Sequence, residues 1–323
     1  MTFPTIPPIS IAQSNIFVTG GAGTLGKALA RKRQREGWTG RFTVYSTSPW
    51  KHAELRREFP DVMCVQGDIR NAETLKLAML GHDVVIHAAA VKYIPDSEYA
   101  SLDTIDVNVY GSEIVCQAAR EVGVRHCLGI STDKACHPAN AYGASKMLME
   151  KVLQEYARAG GDTRFHLVRY GNVLESVGSV IETWRKCLDE GKPIRITDPE
   201  MTRFWLSPAM AADHVVASLS LPSGRIYVPM EKALDIGQLL NYTIGAAVEF
   251  ERIPLRPGEK LHETLLTEDE LDFAEVYAQA PTPHFVLHPS TDKRMKPKWL
   301  EPYTSLTAPE LTGAELTELL NNE

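Results

Sequence analysis

Several features are scarce or missing in this chain, and each absence narrows what it can do. No run approaches the ~18 consecutive apolar residues of a membrane-spanning helix, so a bilayer protein is not expected. The first fourteen residues, MTFPTIPPISIAQS, are Pro-rich, with neither a charged n-region nor an apolar h-region, and do not read as a secretory leader. Cysteine is limited to five residues, Cys64, Cys116, Cys127, Cys136 and Cys187. They are scattered, odd in number and free of C-x-x-C spacing, which argues against a disulfide framework and for a reducing cytoplasm. No set of His and Cys has metal-ligand spacing, so no metal is expected. Basic residues are outnumbered: 34 Lys and Arg against 41 Asp and Glu give a net charge of -7. That balance lacks the basic face of a nucleic-acid binder. The run Arg31-Lys32-Arg33-Gln34-Arg35 reads as one solvated helix face.

What is present is apolar material, 44% of 323 residues, enough for a sizeable core. It is arranged in short continuous runs between longer amphipathic ones. Strands are expected at 15–20, 41–46, 62–67, 83–90, 126–131 and 164–170. Helices are expected at 24–36, 72–80, 104–123 and 142–159. Continuously apolar strands belong to sheets covered on both faces. Their alternation with helices predicts an α/β fold with a doubly wound parallel sheet. After about residue 171 the rhythm loosens into short elements such as PIRIT (193–197) and RIYVP (225–229) among Pro and Gly turns.

VTGGAGTLGKALA (18–30) follows the first strand and opens a helix, with Gly20, Gly23 and Gly26 three apart. Glycine permits the tight turn and close backbone approach to a pyrophosphate, and Thr24 and Leu25 begin a helix whose free N–H groups favour anions. In this position the pattern is the dinucleotide fingerprint of a Rossmann-like fold. The organisation expected is a dinucleotide-binding domain over 15–171, with returning segments near 205–230. A smaller discontinuous substrate lobe covers 172–280, and a Pro- and Lys-rich tail of unassigned order covers 281–323. The second strand ends in Ser46 and Thr47, without the carboxylate that would bind an NAD ribose, and Lys51 and His52 follow. NADP is therefore favoured over NAD. The third and fourth strands end in Asp68 and Ile69 and in Ala88, Ala89, Ala90 and Lys92, the expected walls for adenine and nicotinamide ribose.

The stretch GISTDKACHPANAYGASK (129–146) holds the chemistry. Tyr142 and Lys146 lie one helical turn apart on a shared face. An ammonium there is expected to lower the phenol's pKa, making Tyr142 a general base beside a nicotinamide. Asp133 and Lys134 form an adjacent acid and amine just beyond a strand end.

HAAAVKYIP, STDKA, AYGASK, VRYGNV, MTRFW and RPGEKLHE, together with the glycine loop, resemble the extended short-chain dehydrogenase/reductases. More narrowly they resemble the soluble UDP-N-acetylglucosamine 4,6-dehydratases, including the inverting type of polysaccharide and pseudaminic-acid synthesis. The similarity runs from about Asn15 to Glu270. It implies that Tyr142 takes the 4-hydroxyl proton while Thr132 hydrogen-bonds the sugar near carbon 4. A neutral Lys134 would remove the carbon-5 hydrogen, and a protonated Asp133 would donate to the departing 6-hydroxyl. It also implies a UDP-sugar held by Lys92, Asn172, Arg203, Arg256 and Glu259, the arginines on the diphosphate. A homo-oligomer, dimer or higher, is expected through helices such as 104–123 and 142–159. Cys136 reads as packing. A UDP-hexose 4-epimerase on the same fold, and a non-catalytic nucleotide-binding regulator, are the rival readings.

Overall fold

The computed structural model describes residues 9–321 apart from 177, 247, 279–281, 296–298 and 300; the chain start at 1–8 and the expected boundary at 280/281 lie outside the described residues. Six strands and their crossovers form the first half. They are β1 (Ile16–Thr19), β2 (Phe42–Ser46), β3 (Met63–Gln66), β4 (Val84–His87), β5 (His126–Thr132) and β6 (Arg164–Tyr170). Between them run α1 (Thr24–Glu36), α2 (Pro49–Glu58), α3 (Ala72–Met79), α4 (Ile94–Tyr99), α5 (Ser101–Ile105), α6 (Gly111–Glu121) and α7 (Ala141–Arg158). The strands pair in parallel in the order β3-β2-β1-β4-β5-β6. The reversal on either side of β1 is the switch point at which such sheets open a crevice.

Successive side chains face opposite sides of a strand. Phe17, Val85, Cys127 and Phe165 pack on one side with Leu75 of α3, Val115 of α6 and Leu153 of α7. Ile16, Val18, Val44 and Leu128 pack on the other with Leu29 of α1 and with Ala211 and Val215 of the helix Pro208–Ser218. Both faces are dry, which is why the strands read as unbroken apolar runs. β3 is the edge strand, and Met63 there is 52% exposed.

The long helix expected over 104–123 is composite: α5 and α6 are joined by a π-helical turn, Asp106–Tyr110. The wider turn carries Asn108 inward, where its Oδ1 accepts from Val91 N (2.8 Å) and its Nδ2 donates to Val91 O (2.8 Å) and Ser145 Oγ (2.9 Å). α2 was not among the expected helices, although Pro49 stands at its start, a favourable first-turn position.

The sheet is larger than a six-strand reading. Ile226–Pro229, the RIYVP run, pairs in parallel with β6; His284–Leu287 and Ala274–Tyr277 then add in antiparallel fashion, making nine strands. Residues assigned to the lobe's end and to the tail thus form a sheet edge, and Gly313–Asn321 is helical. Phe285, Val286 and Leu287 are buried there, and this short apolar run was hidden in Pro- and Lys-rich surroundings. The remaining elements form a lobe with its own core of Trp184, Ile194, Trp205, Leu240 and Leu316.

The glycine loop fits the sheet closely. A Cβ on Gly26 would lie 1.7 Å from Gly21 O, so helix α1 can start only if this position has no side chain. Gly26→Ala is expected to destabilise the protein by about 1–3 kcal/mol or more, read as a lowered Tm and denaturant midpoint; an unchanged Tm would refute the close approach.

Candidate active site

A cleft of ≈ 620 Å³ runs along the carboxyl ends of the strands. Gly20, Gly23, Thr24 and Leu25 form one end, Ser46, Thr47, Lys51, Asp68 and Ile69 the wall beyond it, and Ala88, Ala89, Ala90 and Lys92 the middle. Thr132, Lys134, Tyr142, Lys146 and Asn172 close the other end. A cleft continuous from a helix N-terminus to a Tyr/Lys pair has the length and chemistry of a dinucleotide site. Gly26 and Asp133 stand behind this lining.

The wall details sharpen the cofactor reading. Ser46 Oγ lies 2.8 Å from His52 Nε2, and His52 is buried and pushed below the ordinary histidine range by that burial and by Arg56. His52 is therefore turned inward and neutral, leaving Lys51 as the cation near the second strand end. Thr47 is exposed. Asp68 is occupied by Arg70, whose Nη2 donates to Oδ2 at 2.6 Å. Lys92 stands exposed at the mouth, pushed down by surrounding protein and by Lys51.

Asp133 is fully buried in the short turn after β5. Its Oδ1 accepts from Thr132 Oγ1 (2.8 Å) and from Lys134 Nζ (2.9 Å). Lys134 Nζ also donates to Asn172 Oδ1 (3.4 Å) and faces Glu263 Oε1 at 3.8 Å. Burial alone would lower Lys134, but Asp133 and Glu263 outweigh it and raise the ammonium above its ordinary value. The expected neutral amine is thus corrected: two carboxylates hold Lys134 charged.

Tyr142 and Lys146 also depart from expectation. Burial raises the phenol; the opposing influences are the Lys134 charge and a hydrogen bond with Thr132. Lys146 is itself desolvated, which lowers it to about 8 against the pull of Glu150, and its Nζ lies 3.1 Å from Met149 Sδ. The ammonium that bears on the phenol is therefore Lys134's. α7 is aimed by Asn140, whose Oδ1 accepts from Gly143 N (2.8 Å) and whose Nδ2 donates to Gly258 O (2.8 Å).

This arrangement meets its relatives at the level of whole chains. A family model described as polysaccharide biosynthesis protein matches residues 16–282. The chain belongs to that family. It is 36% identical over 284 residues to the UDP-N-acetylglucosamine 4,6-dehydratase (inverting) of Campylobacter jejuni, covering 85% of each chain. It is 34% identical over 322 residues to a UDP-glucose 4-epimerase of Rickettsia massiliae, covering 94% of each. Among solved structures, Pen from Bacillus thuringiensis superimposes with a TM-score of 0.87 at 28% identity, over 97% of this chain and 98% of that one. The dTDP-glucose 4,6-dehydratase DesIV from Streptomyces venezuelae, at 22% identity, TM-score 0.69 and coverage of 76% and 86%, shares the fold.

Three of the residues expected to hold substrate sit off the cleft lining. Arg203 is buried, and its guanidinium donates to the backbone carbonyls of Thr202 (2.7 Å), Lys260 (2.8 Å) and Leu261 (3.1 Å), fixing the 260–263 segment. Arg256 is exposed, and Glu259 Oε2 accepts from the Arg256 backbone N–H (3.3 Å). The carboxylate that reaches Lys134 is Glu263, the last residue of RPGEKLHE, one helical-turn spacing beyond Glu259. Its burial was the missing signal. Among the described residues no His, Cys, Asp and Glu group could hold a metal, and no helix is long and apolar enough to cross a membrane.

Arg169 in β6 supports all of this from beneath. Its Nε and Nη2 donate to Glu150 of α7 (2.9 and 2.7 Å), and its Nη1 and Nη2 donate to Glu270 (2.9 Å each). Ser131 Oγ adds a bond to Glu150 (2.5 Å). Burial would raise Glu270, but Arg169 holds it below the ordinary glutamate range. Arg169→Met leaves the buried Glu150 and the half-buried Glu270 without a cation and is expected to cost about 3–5 kcal/mol, measured by chemical denaturation. The Glu270 contribution is present above its unfolded pKa near 4.5 and is lost as pH falls through its lowered folded value. The wild type should lose this increment between those values, and Arg169→Met should show no such loss.

Proposed function

We propose that the protein is an NADP-dependent nucleotide-sugar 4,6-dehydratase acting on UDP-N-acetylglucosamine, giving a UDP-4-keto-6-deoxy sugar. The observation that carries this reading is the Asp133–Lys134 hydrogen bond of 2.9 Å, at a strand end beside Tyr142. Beyond the cofactor, oxidation at carbon 4 calls on Tyr142 and leaves Asp133 and Lys134 unused. An acid and a base placed as neighbours are what elimination across carbons 5 and 6 requires.

Gly20, Gly23, Thr24 and Leu25 would hold the diphosphate of NADP, which when bound would supply the hydride acceptor for carbon 4 and the hydride source for carbon 6. Tyr142 takes the 4-hydroxyl proton, with Lys134 favouring the phenolate and Thr132 holding the oxygen. The carbon-4 ketone acidifies the carbon-5 hydrogen. Moving one proton along the Lys134 Nζ to Asp133 Oδ1 bond turns the ion pair into a neutral amine and a carboxylic acid. Lys134 then removes the carbon-5 proton, and Asp133 protonates the departing 6-hydroxyl. This ordering reconciles a charged resting Lys134 with its role as base. Lys51, on a wall without a ribose-binding carboxylate, supports the NADP choice. Lys92 and Asn172 face the sugar and diphosphate, while Arg203 acts by holding the loop that carries Glu263. Exposed Tyr99, Leu102 and Tyr110 on the α4–α6 stretch and Leu148 on α7 support a homo-oligomer through those helices. We also assign the protein to the cytoplasm, in keeping with its five free cysteines.

The second reading, a UDP-hexose 4-epimerase, is favoured by the epimerase relatives that align over nearly the whole chain. It uses Tyr142 and the cofactor but leaves Asp133 and Lys134 without a task.

Incubation with UDP-N-acetylglucosamine in heavy water separates the two. Dehydration gives a product lighter by one water with deuterium at carbon 5, read by mass spectrometry and proton NMR; an isomer of unchanged mass and no deuterium would establish the epimerase. Asp133→Asn and Lys134→Ala should keep NADP binding and lose dehydration by about 10²–10⁴-fold; normal turnover in either removes that residue from the mechanism. Fluorescence titration should give tighter binding of NADP than NAD, and the reverse order would overturn the cofactor assignment.

A further inference from the structure

The proposed reaction leaves the Asp133–Lys134 pair one proton short in every turnover. One proton departs in water, and the proton taken from carbon 5 is balanced by the one that carbon 5 regains. The 4-hydroxyl proton rests on Tyr142. Asp133 must therefore be recharged before the next elimination.

Beside it lies a carboxyl with no part in the mechanism so far. Glu231 follows the strand Ile226–Pro229 and is 3% exposed. Its Oε2 accepts from Gly171 N at 2.9 Å, and Thr132 pairs with Tyr170 in the β5–β6 ladder. Gly171 thus stands level with Asp133, one residue beyond that pair. A Cβ on Gly171 would lie 2.7 Å from Glu231 Oε2, so the glycine is what admits the carboxyl to the strand end. Among the described residues, Asp133 Oδ2 and Glu231 Oε1 are both buried side-chain oxygens without a hydrogen-bond partner. Two neighbouring buried carboxyls with one orphan oxygen each are satisfied together when a proton lies between them.

Glu231 also lines a second cavity of ≈ 960 Å³, which shares no lining residue with the nucleotide cleft. Trp205, His214, Lys232 and Tyr303 form part of its wall, and exposed Arg35 and Glu318 carry that wall to the surface. His214 is buried there with both ring nitrogens unpartnered among the described residues. The second cavity thus joins bulk solvent to Glu231 without crossing the substrate.

We propose that Asp133 and Glu231 form a proton-sharing carboxyl pair, and that Glu231, supplied from the second cavity, recharges Asp133 between turnovers. This role rests on the dehydratase reading. Asp133 gives its proton to the departing hydroxyl, the Glu231 proton passes to Asp133, and Glu231 regains one from cavity solvent while Tyr142 releases the 4-hydroxyl proton into the cleft. The titratable groups facing Glu231 are Asp133 and Lys134 from the end of β5, Tyr170 from β6 and Tyr303 from the C-terminal segment. Burial pushes Glu231 well above the ordinary glutamate range, the Asp133 charge adds to this, and the Gly171 N–H and Lys134 ammonium oppose it.

Two measurements test the pair. Infrared difference spectra of wild type against Glu231→Gln at neutral pH should contain a protonated-carboxyl stretch that the variant lacks. Its absence overturns the proposal whatever reaction the enzyme catalyses. In a wild type that dehydrates its substrate, kcat should follow Glu > Asp > Gln at position 231. Glu231→Gln should fall on the order of 10²-fold with KM and NADP binding unchanged, and Glu231→Asp should recover part of the loss. A packing role predicts the opposite order, since Gln preserves shape and the Gly171 bond. Glu231→Gln turning over like wild type, as it would if the proton returned from Tyr142 through Thr132, overturns the assignment. A wild type that shows the infrared band but forms no dehydrated product faults the reaction assignment, not the shared proton.

Discussion

Everything at the carboxyl end of this sheet hangs on the buried guanidinium of Arg169. One planar fork joins β6 to α7 through Glu150 and to the lobe through Glu270, with a further bond from Nη1 to Leu265 O (3.0 Å). Bidentate geometry fixes orientation as well as distance. α7 carries Tyr142 and Lys146, the β5 end carries Thr132 and Asp133, and the lobe carries Glu263. The clamp sets these three groups against one another without touching the cleft. A buried ionic network of this size is weak evidence for stability, since a well-packed apolar core can do as well. Its value is registry, the holding of a helix, a turn and a separate lobe in one arrangement.

Given that registry, desolvation does the electrostatic work. Lys134 and Lys146 share a cleft and move in opposite directions. Lys134 has carboxylates at 2.9 and 3.8 Å and is raised; Lys146 has a methionine sulfur against it and falls to about 8. The same burial raises Tyr142. Proximity in sequence suggested that Lys146 governs the phenol. The three-dimensional arrangement gives that influence to Lys134, whose charge lowers the phenol while Lys146, one helical turn away, is not among the groups that bear on it.

The framework was legible because it rests on local pattern. Unbroken apolar strands, the glycine loop and the Tyr142/Lys146 spacing each follow from short-range rules, and the cleft assembles along them. What escaped depends on contacts distant in sequence. The strand His284–Leu287 is four residues long in a Pro- and Lys-rich stretch, and only its pairing with Ile226–Pro229 and Ala274–Tyr277 identifies it. Arg203 looks like a diphosphate ligand as an isolated arginine, yet its burial against the carbonyls of Lys260 and Leu261 makes it a strut for a loop. Glu231 and Glu263 carry no motif that distinguishes them from surface glutamates. Their meaning comes from being 3% and 4% exposed near the turn that carries Asp133 and Lys134.

Those two glutamates clarify what surrounds the acid–amine pair. A lobe that only recognised a nucleotide sugar would present cations to the cleft. Here Glu263 instead sits within 4.0 Å of Lys134, Arg203 and Lys260, and Glu231 is buried against Gly171 N, where the Asp133 charge bears on it. The acid–amine pair is thereby enclosed by carboxyls. Buried charge is retained only where it is paired, and an epimerase gains nothing from paying for such an enclosure. Elimination does, because it needs an amine and an acid that exchange one proton and then regain it. This surround of carboxyls, more than the Tyr142 helix common to both reactions, is what favours dehydration as the purpose of this site.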